Sequence, residues 1–168
     1  MKNIILIGMP AVGKSTVGVV IAKRLGYDFI DTDLLIQKQE KRLLKDIIAQ
    51  EGHERFLEIE NQVNRDLNAE NAVIAPGGSV VYCEEAMQHY KAMGTIIYLH
   101  APYEEIQRRI GDAKSRGVVL GNQKTLKDIY EERCILFEKY ADHTISEEGI
   151  GLDDTIEKVL ELISKIGG

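Results

Sequence analysis

The chain has no tryptophan, three prolines and two cysteines in 168 residues, and aromatic residues make up only 6% of it. Cys83 and Cys134 form no Cys-x-x-Cys pair and have no histidine at metal-ligand spacing. That excludes a disulfide scaffold, a zinc finger and a thiol redox motif, and points to two free thiols in a reducing compartment. His53, His89, His100 and His143 are likewise not spaced for a metal. No apolar run approaches the roughly 20 residues of a membrane span, and the first apolar run is too short for a secretory signal. The cytoplasm is therefore the expected location. Positive charge is also in deficit, with 21 Lys and Arg against 27 Asp and Glu and a formal net charge of -6. Such a balance gives no electrostatic reason for nucleic acid or an anionic membrane as partner, and leaves room for a small anionic ligand at a local basic site.

No internal repeat interrupts the pattern, and the length suits one domain, 1–168, around a single core. Short β-type runs alternate with helical stripes. Strands are predicted at Asn3–Ile7, Tyr27–Ile30, Ala72–Ala75, Thr95–Leu99 and His143–Ile145. Helices are predicted at Lys14–Leu25, Leu34–Gln50 in two pieces, Gly52–Asn68, Glu84–Met93, Tyr103–Ile110, Leu126–Tyr140 and Asp153–Ile166. This alternation predicts an α/β three-layer sandwich with a parallel five-stranded sheet. Ligands of such sheets bind beyond the C-terminal strand ends, which turns attention to Gly8–Thr16, Asp31–Asp33 and Pro76–Ser79. Residues 111–123 (GDAKSRGVVLGNQ) hold three glycines and read as a long loop between helices, the place for a mobile lid.

The stretch GMPAVGKST follows the first strand and opens the first helix. Its Gly8-x-x-x-x-Gly13-Lys14-Ser15 spacing is that of a phosphate-binding P-loop. Glycines allow the backbone to approach the phosphates. The amides from Gly8 through Ala11, Val12, Gly13 and Thr16 supply positive dipole, Lys14 supplies charge, and the Ser15 hydroxyl suits Mg²⁺. A glycine-rich turn without a ligand would share part of this pattern but not all of it.

Asp31 and Asp33 follow the second strand, two residues apart and so on one side of an extended chain. Either could simply cap the next helix. Beside a P-loop they also fit the two remaining needs of phosphoryl transfer, a carboxylate for Mg²⁺ and one for the acceptor hydroxyl.

Taken in order, GMPAVGKST, FIDTDLLI, GHERFLEIE, VIAPGGSV, a basic loop around Arg116 and EERCILFEKYAD resemble the shikimate kinases, small kinases of the nucleoside-monophosphate-kinase type. The resemblance covers nearly the whole chain. It implies a P-loop kinase fold, ATP and Mg²⁺ as cofactors, a small hydroxylated acceptor as partner, a monomer, and a place in aromatic amino acid biosynthesis. It also implies roles: Lys14 and Ser15 on phosphate and Mg²⁺, Asp31 on Mg²⁺ through water, and Asp33 on the acceptor hydroxyls as base. Gly77 and Gly78 would bring backbone amides to the acceptor, with Ser79 beside them. Arg116 would meet the transferring phosphate, Arg133 the acceptor carboxylate, and Arg109 the adenine, with Arg108 as its alternative. Residues about 33–60 would form the acceptor-binding helical region. Without the resemblance, Arg133 would read as a solvated helix residue and Arg116 as an exposed loop residue.

Three departures fall on the acceptor side. The family's GE-x-x-FR-x-x-E reads Gly52-His53-Glu54-Arg55-Phe56-Leu57-Glu58-Ile59-Glu60, so Leu57 stands where an arginine would share the acceptor carboxylate. Arg55 lies about 200° away around a helix and is a poor substitute. Ser79 replaces the third glycine of a triple, and the lid motif RPLL reads Arg116-Gly117-Val118-Val119. Glu60 would hold the absent arginine and, lacking it, reads as a surface glutamate. The expected acceptor is shikimate or a related polyol, and these departures weigh against shikimate itself and towards a neutral or differently placed polyol. A nucleotide-binding regulatory module without catalysis and a nucleoside-monophosphate kinase are the alternatives.

Overall fold

The structure is a computed structural model and describes residues 2–113 and 124–167. Five strands, β1 (Asn3–Ile7), β2 (Asp28–Asp31), β3 (Ala72–Ala75), β4 (Gly94–His100) and β5 (His143–Ser146), form one sheet. The order is β2-β3-β1-β4-β5, and every pairing is parallel. The helices are α1 (Lys14–Leu25), α2 (Thr32–Glu40), α3 (Leu44–Glu51), α4 (His53–Arg65), α5 (Glu84–Met93), α6 (Tyr103–Ala113), α7 (Leu126–Tyr140) and α8 (Leu152–Ile166).

β1 and β3 are buried at every position, as their unbroken NIILI and AVIA runs require in a sheet covered on both faces. Parallel strands leave their C-terminal ends on one edge. Register sets Asp31 of β2 beside Ala75 of β3, and β3 runs alongside β1, which ends at Ile7 just before Gly8. The three segments singled out in the sequence therefore meet on that edge. A small separate cluster, Ile36, Ile47, Phe56 and Ile59, fastens α2, α3 and α4 together next to it.

The structure shifts some expected bounds. β2 runs through Asp31, because that residue still pairs with Ala75 before capping α2. β4 gains Gly94 and His100, and α6 continues to Ala113, into the segment expected to be loop. A single 3-10 turn over Gly78–Tyr82, absent from the sequence reading, carries the chain away from β3. Among the described residues no helix is long and apolar enough to cross a membrane.

Candidate active site

β1 ends and α1 begins across a loop whose backbone is built for an anion. Gly13 caps α1 with φ 95°, a left-handed conformation that disfavours any side chain. No side chain caps the helix and its first turn holds no acid, so its free amides remain available to a negative ligand. Lys14 is buried, and its Nζ donates to the Gly8 and Met9 carbonyls at 2.9 Å each. Burial pulls its pKa down to about 8 against the opposing pull of Asp33, with Arg133 adding to the lowering. A phosphate would offer the ammonium a better partner than two neutral carbonyls. Ser15 and Thr16 are exposed at the mouth of the loop.

Asp31 does two jobs. One carboxylate oxygen accepts from the Asp33 and Leu34 amides at 2.9 and 3.3 Å and caps α2; the other accepts from the Ser15 hydroxyl at 3.3 Å. Capping and a ligand role are therefore compatible. The Ser15 hydroxyl and the Asp31 carboxylate are hard oxygen donors, and they fit Mg²⁺, which takes one or two protein oxygens and completes its shell with phosphate and water. Among the described residues no group of three or more His, Cys, Asp or Glu could hold a metal on its own. Asp33 lies deeper. Burial first, then the Asp31 charge, raises its pKa to about 6, with Lys14 opposing. It stays ionised at neutral pH while being basic enough to take a proton.

A cavity of about 420 Å³ runs from Lys14, Ser15 and Asp31 at one end to Phe56, Gly78 and Arg133 at the other, with Asp33 between. Its floor is the turn after β3. A Cβ at Gly77 would stand 2.8 Å from Asp33 Oδ1 and 3.0 Å from Glu60 Oε2, and one at Gly78 would stand 2.8 Å from the Pro10 ring and 3.1 Å from Arg133 Nη1. A side chain at Gly78 would collide with the rigid Pro10 ring and one at Gly77 would displace two carboxylate ends, so with glycine at both the turn's backbone faces the cavity bare. Ser79 is buried and donates its hydroxyl to Glu60 Oε1 at 2.6 Å.

Arg133 is not a surface residue. It is 1% exposed, its Nε donates to the Tyr82 hydroxyl at 3.4 Å, and its guanidinium lies 5.4 Å from the Tyr82 ring centre. Glu60 corrects the sequence reading outright: expected on the surface, it is 0% exposed. It follows buried Phe56 by one helical turn and precedes buried Asn64 by another, so position 60 lies on the packed face. That spacing was the available signal; the polar side chain concealed it. Leu57 lies in a neighbouring cavity of about 550 Å³ together with His53, Tyr82 and Lys124, which meets the first at Arg133. Arg55 faces outward and pairs with Glu51 and Glu58.

Arg109 rather than Arg108 reaches the P-loop, donating to the Ala11 carbonyl at 3.2 Å. Glu105 and buried Glu147 hold it in place at 2.9 and 3.4 Å, two acids that the sequence reading passed over. Arg116, with the rest of 114–123, lies outside the described residues.

With that geometry in place, comparison with known proteins is informative. The sequence model of the shikimate kinase family matches residues 10–164. A shikimate kinase of Persephonella marina is 34% identical over 161 residues, 95% of this chain and 98% of its own. Among solved structures, the shikimate kinase of Acinetobacter baumannii in complex with shikimate superposes with a TM-score of 0.89 at 28% identity, covering 98% of this chain and 94% of that one. The shikimate kinase of Aquifex aeolicus gives 0.83 at 31% identity, covering 99% of both chains. The family model covers most of the chain, the Persephonella marina relative is 34% identical over nearly all of it, and the chain belongs to the shikimate kinase family.

Proposed function

We propose that the chain transfers the γ-phosphoryl group of ATP to a ring hydroxyl of shikimate. The observation that carries this reading is the single cavity in which a phosphate loop and a hydroxyl-binding wall face each other. ATP phosphates take the free amides of the P-loop and α1, and Lys14 leaves the Gly8 and Met9 carbonyls to meet them. Ser15 and Asp31 hold Mg²⁺, which when bound neutralises charge on the phosphates. Asp33 orients the acceptor hydroxyl and removes its proton, Arg133 takes the acceptor carboxylate, and the Gly77–Gly78 backbone closes on the ring. Arg109, held beside the Ala11 carbonyl of the P-loop, is the arginine for the nucleotide, and the family resemblance gives Arg116 the transferring phosphate. The catalytic gain comes from alignment and charge stabilisation. One chain contributes both half-sites, which suits a monomer, and a consumer of ATP belongs in the cytoplasm.

The test is ADP release with shikimate, on wild type and on Leu57→Arg. Wild type releases ADP only when shikimate is present. The added guanidinium, one turn from Glu60 and close to Arg133, lowers the KM for shikimate by roughly tenfold or more. Tight ATP binding without turnover of any hydroxylated acceptor would refute the reading in favour of a regulatory module.

A further inference from the structure

Glu60 is a buried group to which the reaction just described gives no task. Its carboxyl sits in the wall of the acceptor cavity, 0% exposed. Oε1 accepts the Ser79 hydroxyl at 2.6 Å, whereas Oε2 has no hydrogen-bond partner among the described residues. A Cβ built at Gly77 would stand 3.0 Å from Oε2 and 2.8 Å from Asp33 Oδ1, so both oxygens lie over the same glycine. The free oxygen of Glu60 and the base therefore flank the same floor of the same cavity. A buried polar atom in a cavity wall, without a hydrogen-bond partner among the described residues, is placed to bond a ligand atom.

The groups around it decide what it offers. Asp33 approaches from α2, Arg133 from α7, Ser79 and Cys83 from the turn and its end, and Tyr90 from α5. Burial is the largest influence and raises the Glu60 pKa to about 8; Asp33 adds to this, and Ser79 and Arg133 oppose it. At neutral pH the carboxyl keeps its proton. With Oε1 occupied as an acceptor, the proton belongs on Oε2. Asp33, at about 6, is ionised under the same conditions. One cavity thus holds an acid and a base whose environments separate them. Two of the three acceptor-side departures, Leu57 and Ser79, act on Glu60. Leu57, one turn earlier on α4, offers it no cation, and Ser79 offers it a neutral hydroxyl instead.

We propose that Glu60 binds the acceptor directly, donating a hydrogen bond from Oε2 to an acceptor oxygen, in this chain in place of the arginine that Leu57 displaces. The acceptor class is an oxyanion or hydroxyl on the ring beside the one that is phosphorylated. This rests on the reading that an acceptor occupies this cavity.

The experiment is the KM for shikimate at saturating ATP·Mg²⁺ across pH 6.5–9.5, for wild type, Glu60→Gln, Glu60→Leu and Leu57→Arg, each checked for folding by circular dichroism. If only the protonated form binds, the wild-type KM rises about tenfold from pH 7 to 9 while the KM for ATP does not follow it. Glu60→Gln keeps an N–H at the Oε2 position and cannot ionise, so its KM starts a few-fold higher and stays level. Glu60→Leu raises it about tenfold or more at every pH. In Leu57→Arg the new cation ionises Glu60 and abolishes the rise. A level wild-type profile, or a rise that survives in Glu60→Gln, overturns the assignment and leaves the proposed reaction standing. If wild type turns over a different hydroxylated acceptor and not shikimate, the proposed substrate fails and the same comparison is made with that acceptor. If it turns over none, both fall.

Discussion

At the scale of single residues, the role proposed for Asp33 carries the heaviest chemical demand. Asp33 has to be an anion to take a proton, yet burial and the neighbouring Asp31 charge hold its pKa near 6. The sign follows directly: Asp33 is competent as a base above that value, and activity is lost as pH falls through it. kcat/KM should drop about tenfold per pH unit below pH 6. Asp33→Asn keeps the shape and hydrogen-bonding reach but removes the base, so kcat should fall by about a hundredfold or more. The KM for ATP should stay within about twofold, since Lys14 and the loop amides remain. A variant with wild-type turnover, or with ATP binding lost in parallel, would take the role away from Asp33. Arg133 makes the complementary point. Its near-complete burial beside Tyr82 in a cavity wall is costly unless a ligand or a neighbour uses the charge, which is why a base-rate reading of a helix arginine misplaces it.

At the scale of elements, Asp31 joins an observed helix cap to the Mg²⁺ role proposed for it. Asparagine caps as well as aspartate but carries no charge. Asp31→Asn should therefore change the free energy of urea unfolding by less than about 0.5 kcal/mol while raising the Mg²⁺ concentration needed for half-maximal activity several-fold. Asp31→Ala should cost about 1 kcal/mol of stability in addition. Equal Mg²⁺ dependence in Asp31→Asn and wild type would confine Asp31 to capping. The elements themselves were largely legible in the chain. Asn3–Ile7, Lys14–Leu25, Ala72–Ala75, Glu84–Met93 and Leu126–Tyr140 end where the sequence reading put them, because Gly, Pro or a capping residue punctuates each. Leu126–Tyr140, for example, starts on a Thr125–Asp128 capping box. The 3-10 turn at Gly78–Tyr82 was not legible, since GSVVY has neither helical spacing nor strand alternation. The motif residues Lys14, Ser15, Asp31, Asp33, Gly77 and Gly78, picked out by spacing, line one cavity. Glu60, Tyr82 and Glu147 were missed, because what matters about them is burial and long-range contact, and neither is written in local periodicity.

At the scale of the whole molecule, the acceptor cavity is a place where folding free energy is given up for chemistry. A carboxyl at Glu60 has a pKa of about 8 in the folded chain against an ordinary value of 4.5. Between those limits the folded chain holds a proton that the unfolded chain has released. Stability therefore declines as pH rises through that window and levels off above about 8, a total on the order of 4 kcal/mol from this one group. Asp33 adds a smaller decline of the same sign between about 3.8 and 6. Comparing wild type with Glu60→Gln isolates the first contribution, because every other titrating group is common to both. Urea unfolding at pH 5, 6, 7 and 8 should give curves that diverge, the variant gaining on wild type with each step and most of the difference present by pH 8. Parallel curves would mean that Glu60 titrates alike in the folded and unfolded chain, and would remove the physical basis for a neutral acid in the pocket. The same slope explains why a cation at position 57 has a double effect. Leu57→Arg would give the Glu60 carboxylate a partner, lower its pKa towards the ordinary range, and flatten the pH dependence of stability while it reshapes the acceptor site.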